Sequence, residues 1–296
     1  LNDPAAHSLD HAWVRRSFDR ASVSYDAAAV LQAEVRQLLL ERLSLTTLSP
    51  RVVLDVGAGT GHASRALQRR YPHAHVIAVD FSLGMLRSAG RQRSWLKPFA
   101  RLCAAAEHLP LPDASVDLVV SNFMLEWSDL DEALAEFRRV LAPRGLLCFT
   151  TLGPDTLREL RSAWDQVDAH SRVTQFFDMH DIGDALVRGG FAAPVLDVDH
   201  YTLSYADVRR LAADLKATGA RNATTGRPKG LTTPRKFAAM STAYEGYRDG
   251  GGRLPATYEV VFGQAWAPLA EHRSAADGTH VSLAEIKRQL KLRRDP

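Results

Sequence analysis

Residues 52–61, Val-Val-Leu-Asp-Val-Gly-Ala-Gly-Thr-Gly, constrain this chain more than any other stretch. An apolar, largely β-branched run ends in Asp55, glycines follow at 57, 59 and 61, and a helix-compatible segment occupies 62–70. That order predicts a buried parallel strand over 51–56 that turns sharply into a helix over 60–70. Gly57 and Gly59 remove the side chains that would hold a ligand off the backbone, and Gly61 lets the helix pack close to the sheet. The spacing Gly-x-Gly-x-Gly is one residue shorter than the dinucleotide fingerprint Gly-x-Gly-x-x-Gly. A glycine turn alone is weak, because many such turns are only tight connections.

Strand and helix patterns alternate from 51 to 151. Strands are expected at 51–56, 75–80, 100–105, 116–122 and 145–151, and helices at 60–70, 82–92 and 129–141. Pro143 and Gly145 are read as closing the last helix and opening the next strand. This alternation means a parallel sheet with helices on both faces. Upstream, 10–45 reads as an amphipathic helix with Val30, Leu31, Val35, Leu38, Leu39 and Leu43 facing the core. After Thr151 the rhythm changes. Helices are expected at 156–168, 181–188 and 207–218, strands at 194–203 and 257–266, a mobile loop at 219–235, and a tail helix over 283–292. The partition is an N-terminal helical cap (1–50), a cofactor core (51–152), lid insertions with the remaining strands (153–268) and a polar basic tail (269–296).

The ends of the predicted strands carry the chemistry. The second strand ends in Asp80, where a carboxylate can take both hydroxyls of a ribose. The third is followed by Ala104-Ala105-Ala106-Glu107-His108, and the fourth runs into Ser121-Asn122-Phe123-Met124-Leu125-Glu126-Trp127. Open α/β sheets bind ligands at these carboxyl ends. A glycine turn and a ribose acid without the pyrophosphate fingerprint point to S-adenosylmethionine. The set resembles the class I S-adenosylmethionine-dependent methyltransferases. That resemblance implies that Gly57, Gly59 and Gly61 line the methionine part of the cofactor and that Asp55 orients its amino group. It also implies Asp80 on the ribose, Phe81 and Met85 near the adenine, the backbone of Ala106 and Glu107 at the adenine edge, and Asn122 over the methionine. Ala105 departs from the pattern, since relatives often carry an Asp there; its loss removes about 1–2 kcal/mol of binding. The structural alternatives are core packing for Phe81 and Met85 and a helix N-cap for Asp80.

Composition narrows the setting. The 296 residues are 46% hydrophobic and 24% charged, ordinary for a globular protein with a sizeable core. No apolar run reaches the roughly 20 residues needed to cross a bilayer. The start, Leu1-Asn2-Asp3-Pro4, has neither the basic nor the apolar part of an export signal, so a cytoplasmic setting is expected. Cys103 and Cys148 sit in apolar runs and read as core residues; no metal-ligand spacing is found and no metal is expected. The net charge of +3 is too small to argue for nucleic acid. Lys216, Arg221, Arg227, Lys229, Arg235 and Lys236 nevertheless form a cationic stretch without an acid. It is either a solvated loop or a patch for an anionic partner.

A methyl acceptor that is a carboxylate is already ionised at neutral pH and needs no general base, whereas an amine, phenol or carbon acid does. No His or Cys constellation of catalytic type is visible. His180 reads as a helix N-terminal residue behind an Asp178 cap. Over residues 12–268 the chain resembles the malonyl-acyl-carrier-protein O-methyltransferases of biotin synthesis. The matching stretches are Ser17-Phe18-Asp19-Arg20-Ala21 with Tyr25-Asp26, 54–61, 121–127, 149–157, 178–186 and 254–260; those at 149–157 and 254–260 are the particular ones.

The resemblance implies a doubly wound, mostly parallel seven-stranded sheet and esterification of the free carboxylate of malonyl-acyl carrier protein. The ester hides a charge that fatty-acid elongation enzymes would reject. Tyr25 is the candidate catalytic residue at the malonyl head, with a core tyrosine as the alternative. Arg221 and Arg227 are candidates to orient the carboxylate, and Arg221, Arg227, Lys229 and Arg235 to dock the acidic carrier. Neither nucleic acid nor membrane is expected as a partner. The rival readings are a complex I assembly factor acting on a protein arginine, a quinone-pathway C-methyltransferase, and an RNA methyltransferase.

Overall fold

The computed structural model describes residues 8–92, 98–168, 170, 172–228 and 230–269. The expected tail (269–296) and its helix over 283–292 lie outside them after Leu269, as does Lys229.

Seven strands form one sheet: β1 (Val52–Val56), β2 (His75–Asp80), β3 (Ala100–Cys103), β4 (Val116–Asn122), β5 (Leu141–Leu152), β6 (Ala192–Tyr205) and β7 (Leu254–Trp266). Their order is β3-β2-β1-β4-β5-β7-β6. The first five are parallel, and β7 runs antiparallel between β5 and β6. The order reverses between β1 and β4, the switch point that opens a crevice at the strand ends of a doubly wound sheet. Successive residues feed opposite faces: Val53, Leu118, Val120 and Cys148 enter one apolar cluster, and Leu54, Val119, Leu147 and Phe149 the other.

Helices cover both faces. On one side lie α3 (Val30–Arg42), through Leu31, Val35 and Leu39, and α4 (His62–Arg70), through Leu67. On the other lie α6 (Leu130–Val140), through Leu134 and Phe137, and α8 (Met179–Arg188), through Ile182 and Leu186. Asp178 caps α8 by accepting from the backbone N–H of His180 and Asp181, so His180 is a helix-start residue.

Several boundaries differ from expectation for local reasons. The N-terminal helix is three pieces, α1 (His11–Ala21), α2 (Tyr25–Ala28) and α3. The break follows Ser22 and Ser24, whose hydroxyls donate to the carbonyls of Asp19 and Ala21 and compete with continued helix. Val30, expected inside, is 66% exposed at the first turn of α3. Cys103, expected in the core, is exposed, and Cys148 is buried. Helix α6 stops at Val140, so Pro143 and Gly145 lie inside β5, where its register with β4 shifts. The loop over 219–235 gives way to α10 (Pro234–Glu245), whose start was hidden among loop-like residues: Thr233 caps it and Pro234 opens it. That loop is also tied down by the bridge Leu9↔Thr224.

The stretches at 149–157 and 254–260 clasp each other. Gly153 N donates to Glu259 O (2.9 Å) and Leu157 N to Thr257 O (2.7 Å). The Thr156 hydroxyl donates to Glu259 O and accepts from Glu259 N, both at 3.1 Å. Glu159, on α7 (Arg158–Asp165), accepts from Thr257 N (3.1 Å) and from the Thr257 hydroxyl. This stitches α7 to β7. Within the same pairing Phe149 faces Gly263, and a Cβ at Gly263 would fall 2.2 Å from the Phe149 ring. Gly263→Ala is therefore expected to cost about 1–3 kcal/mol of stability, read as a lower denaturation midpoint in urea, and Phe149→Leu in the same chain should recover part of it.

Candidate active site

Two cavities adjoin at the carboxyl ends of the strands. The first, about 330 Å³, is bounded by Gly57 and Gly59 after β1, Asp80 and Phe81 after β2, Ala104–His108 after β3 and Asn122 after β4. Met85 enters from α5 (Leu83–Ala89). The crevice thus collects the residues that the sequence pattern assigned to a cofactor, with two exceptions. Asp55 lies under the turn, where its carboxylate accepts from the Ser64 hydroxyl, and Gly61 packs against Ala89 and Phe99; neither lines the cavity. The missing side chain of Gly61 thus gives the start of α4 close approach to α5 and Phe99 rather than to a strand.

Backbone geometry explains the two remaining glycines. Gly57 has φ +73° and its absent Cβ would sit 2.5 Å from Met124, while Gly59 has φ +53°. Asp80 secures the turn: its Oδ2 accepts from Gly59 N (2.8 Å) and its Oδ1 from Ser82 N (2.8 Å). The N-cap of α5 is Ser82 rather than Asp80, with the Ser82 hydroxyl accepting from Met85 N at 3.1 Å. Burial outweighs these hydrogen bonds and lifts the Asp80 carboxyl to about 6; Asp55, also buried, is lifted to about 6.

The N-terminal motifs hold this crevice from above. Asp19 accepts from the Ser82 hydroxyl (2.6 Å) and from Gly84 N (2.9 Å), fixing α1 on the start of α5. Asp26 accepts from the Thr60 hydroxyl (2.6 Å), fixing α2 on the glycine turn. Between these anchors, Phe18 and Tyr25 form part of the cavity wall.

The second cavity, about 390 Å³, lies beyond that wall and shares Phe18, Tyr25, Phe123 and Trp127 with the first. Its far side comes from α7, α9 (Val208–Ala217), the segment 218–222 and Phe237 of α10. At the junction Tyr25 is held above its ordinary pKa by burial, then by Glu126 and Asp80, with Arg36 opposing. The phenol is a hydrogen-bond donor at neutral pH and not a base.

The candidate substrate residues separate. Arg221 lines the second cavity and stacks over Trp13 at 5.2 Å. Arg227 lines neither cavity: its guanidinium pairs with Asp10 (2.9 Å) and lies 4.9 Å from Trp13. Arg235 is exposed at the first turn of α10, and Lys236 pairs with Asp168 at 2.9 Å. Sequence reasoning passed over two cavity residues. Arg172 lines the second cavity over Trp164 (4.9 Å) and bonds to Asp168, which Arg172, His170 and Lys236 hold well below the carboxylate range. Glu126 stands inside the 121–127 stretch without an obvious partner, and only the fold shows that it is buried beside Tyr25. Among the described residues, Asp155, His200 and Glu259 form a metal-compatible group within 4.8 Å. It lines neither cavity, and Glu259 already accepts from Asp155 N at 2.7 Å.

Sheet order, glycine turn and strand-end acid define a Rossmann-like methyltransferase, and a methyltransferase domain model matches residues 54–149. Solved structures share the fold: the YcgJ protein of Bacillus subtilis has a TM-score of 0.56 at 17% identity, covering 78% of this chain and 97% of its own. A SAM-dependent methyltransferase of Thermotoga maritima scores 0.52 at 17% identity, covering 86% and 99%. More specific are curated relatives named malonyl-[acyl-carrier protein] O-methyltransferase. The Methylovorus sp. protein is 53% identical over 90% of this chain and 92% of its own, and that of Halorhodospira halophila is 48% identical over 96% and 97%. The chain belongs to the malonyl-[acyl-carrier protein] O-methyltransferase family. The complex I and quinone readings are not favoured by these matches.

Asp80 ties the cofactor crevice to pH. Its carboxylate form accepts hydrogen bonds more strongly than its acid form, which keeps only part of that capacity, so S-adenosylhomocysteine affinity is expected to be constant above pH 7 and to fall as pH drops through about 6. Calorimetric titration between pH 5 and 8 checks this, with Asp80→Ala expected to weaken binding about tenfold or more and to flatten the profile.

Proposed function

We propose that this chain transfers the methyl group of S-adenosylmethionine to the free carboxylate of a malonyl thioester on acyl carrier protein, as its relatives' name describes. The observation that carries the reading is the meeting of two cavities at a wall shared by Phe18, Tyr25, Phe123 and Trp127. When bound, S-adenosylmethionine supplies the electrophilic methyl carbon. Asp80 would hold its ribose, Phe81 and Met85 its adenine face, the backbone of Ala106 and Glu107 its edge, and Gly57, Gly59 and Asn122 its methionine part. Asp55 and Gly61 support this site from beneath. Asn122 is preset for its place: its amide oxygen accepts from the Thr150 hydroxyl (2.9 Å) and its NH₂ donates to Gln32 O (3.3 Å).

The malonyl head would enter from the second cavity. Phe18, Phe123 and Trp127 exclude water around it, and Tyr25 donates a hydrogen bond to it. Methyl transfer is an in-line displacement, so alignment of the acceptor oxygen at about 3–3.5 Å and removal of water are the main contributions. A carboxylate acceptor arrives ionised, which suits a junction whose titratable groups are protonated.

Helix α7 and the segment from 218 onward would act as a lid over the phosphopantetheine arm. Lys216 and Arg221 line the second cavity, Arg235 is exposed on the first turn of α10, and none of the three forms an ion pair among the described residues; these cations suit an acidic carrier protein. Arg227 instead pairs with Asp10. No helix of the described residues is long and apolar enough to cross a membrane, and the proposed setting is the cytoplasm. The ester would serve biotin synthesis.

Incubation with labelled S-adenosylmethionine tests the acceptor. Base-labile label on malonyl-acyl carrier protein is expected; absence of transfer to any malonyl thioester by protein that still binds S-adenosylhomocysteine would refute the assignment. Joint reversal of Arg221 and Arg235 to Glu should raise the KM for malonyl-acyl carrier protein severalfold more than that for malonyl-coenzyme A, and equal changes would remove the docking role.

A further inference from the structure

We infer that Glu126 receives the acceptor carboxylate as a neutral hydrogen-bond donor, its carboxyl O–H bonding one malonyl oxygen while the other attacks. The inference rests on the malonyl reading above and names the group that recognises the acid.

Glu126 lies on the short turn Leu125–Trp127 between β4 and α6 and is only 9% exposed. Its side chain reaches the second cavity next to the shared wall. From β5 it receives one bond, from the Thr151 hydroxyl to Oε2 at 3.2 Å. From α2 it faces Tyr25, itself influenced by Asp80 and Arg36. The buried face of α6 presents Leu130, Ala133 and Leu134. Across the cavity stand Arg172, already held by Asp168, with Asp214, Lys216 and Arg221; no cation pairs with Glu126 among the described residues.

A carboxyl buried without a cation favours its protonated form. Burial lifts Glu126 to about 8, against opposing bonds from its own backbone and Thr151. The acid O–H then matches the chemistry of the incoming group. A carboxylic acid bonded to a carboxylate forms a charge-assisted O–H···O⁻ bond, roughly twice as strong as a neutral one. An ionised Glu126 would repel the same substrate. In the transfer, a lone pair of the free malonyl oxygen forms the O–CH₃ bond and the C–S pair passes to sulfur. The proton stays on Glu126, which afterwards faces a neutral ester carbonyl and binds it less strongly. One residue thus selects for the free acid and against its ester.

The test is kcat/KM for malonyl-acyl carrier protein from pH 6 to 9.5, using the full chain. For the wild type the value should fall as pH rises through about 8, approaching tenfold per unit, with the fall in the malonyl term and not in the KM for S-adenosylmethionine. Glu126→Gln keeps a donor that cannot ionise: at pH 7 it should stay within about threefold of wild type and lose the alkaline fall, whereas Glu126→Ala should lose about 10–100-fold. A rise through the same range would make Glu126 a base and overturn the inference, as would a fall that survives in Glu126→Gln. Should Glu126→Gln not fold, the wild-type profile decides alone, a fall supporting and a flat or rising curve refuting. Wild-type protein that binds S-adenosylhomocysteine yet methylates no malonyl thioester would defeat the acceptor assignment itself; active protein with the wrong pH profile would defeat only the role of Glu126.

Discussion

Carboxyl groups buried without ion pairs dominate the centre of this protein. Asp80 is held by two backbone N–H groups and Asp55 by the hydroxyl and backbone of Ser64, and both rise to about 6 because desolvation outweighs those bonds. Buried negative charge of this kind is costly. The same Asp80 carboxylate joins the glycine turn to the start of α5, and Asp19 carries the linkage on to α1. Donor affinity and the placement of the wall residue Phe18 therefore share one set of hydrogen bonds.

The second organising contact is the clasp between the end of β5 and β7. Six hydrogen bonds among Gly153, Thr156, Leu157, Glu159, Thr257 and Glu259 fix α7 over the second cavity. This explains why the most particular stretches of the sequence lie outside the glycine turn. The turn shapes the first crevice, and the clasp fixes one wall of the second cavity. A chamber stitched to the last strand of the sheet can change acceptor without disturbing the donor crevice.

Much of this was legible along the chain. The apolar run of β1, the alternation of strand and helix patterns and the glycines were legible because they reflect local backbone sterics and hydrophobic pattern. Asp80, Phe81, Met85, Ala106, Glu107 and Asn122 could be read as neighbours, and they line one crevice, because parallel strand ends converge wherever such a sheet forms. What escaped depends on partners distant in sequence. Arg227 looked free until Asp10, 217 residues away, claimed it. Ser22 and Ser24 could have continued a helix, and their bonds to preceding carbonyls decided otherwise. Helix α10 began on Thr-Pro, residues that read equally as loop or cap. Glu126 gave no signal, since an isolated acid in a sequence says nothing about its solvent.

Phe123 carries a consequence of its own. It adopts φ +54°, a left-handed conformation costing a bulky residue about 1–2 kcal/mol. Two acceptors on Thr150, the carbonyl at 3.1 Å and the hydroxyl at 3.2 Å, hold its N–H there. The strained backbone keeps an aromatic ring as a partition between the two hollows. Glycine would relax the torsion but leave a doorway, through which bulk solvent could reach the reactive methyl. A strained torsion, held by Thr150, thus fixes the ring that divides the two cavities.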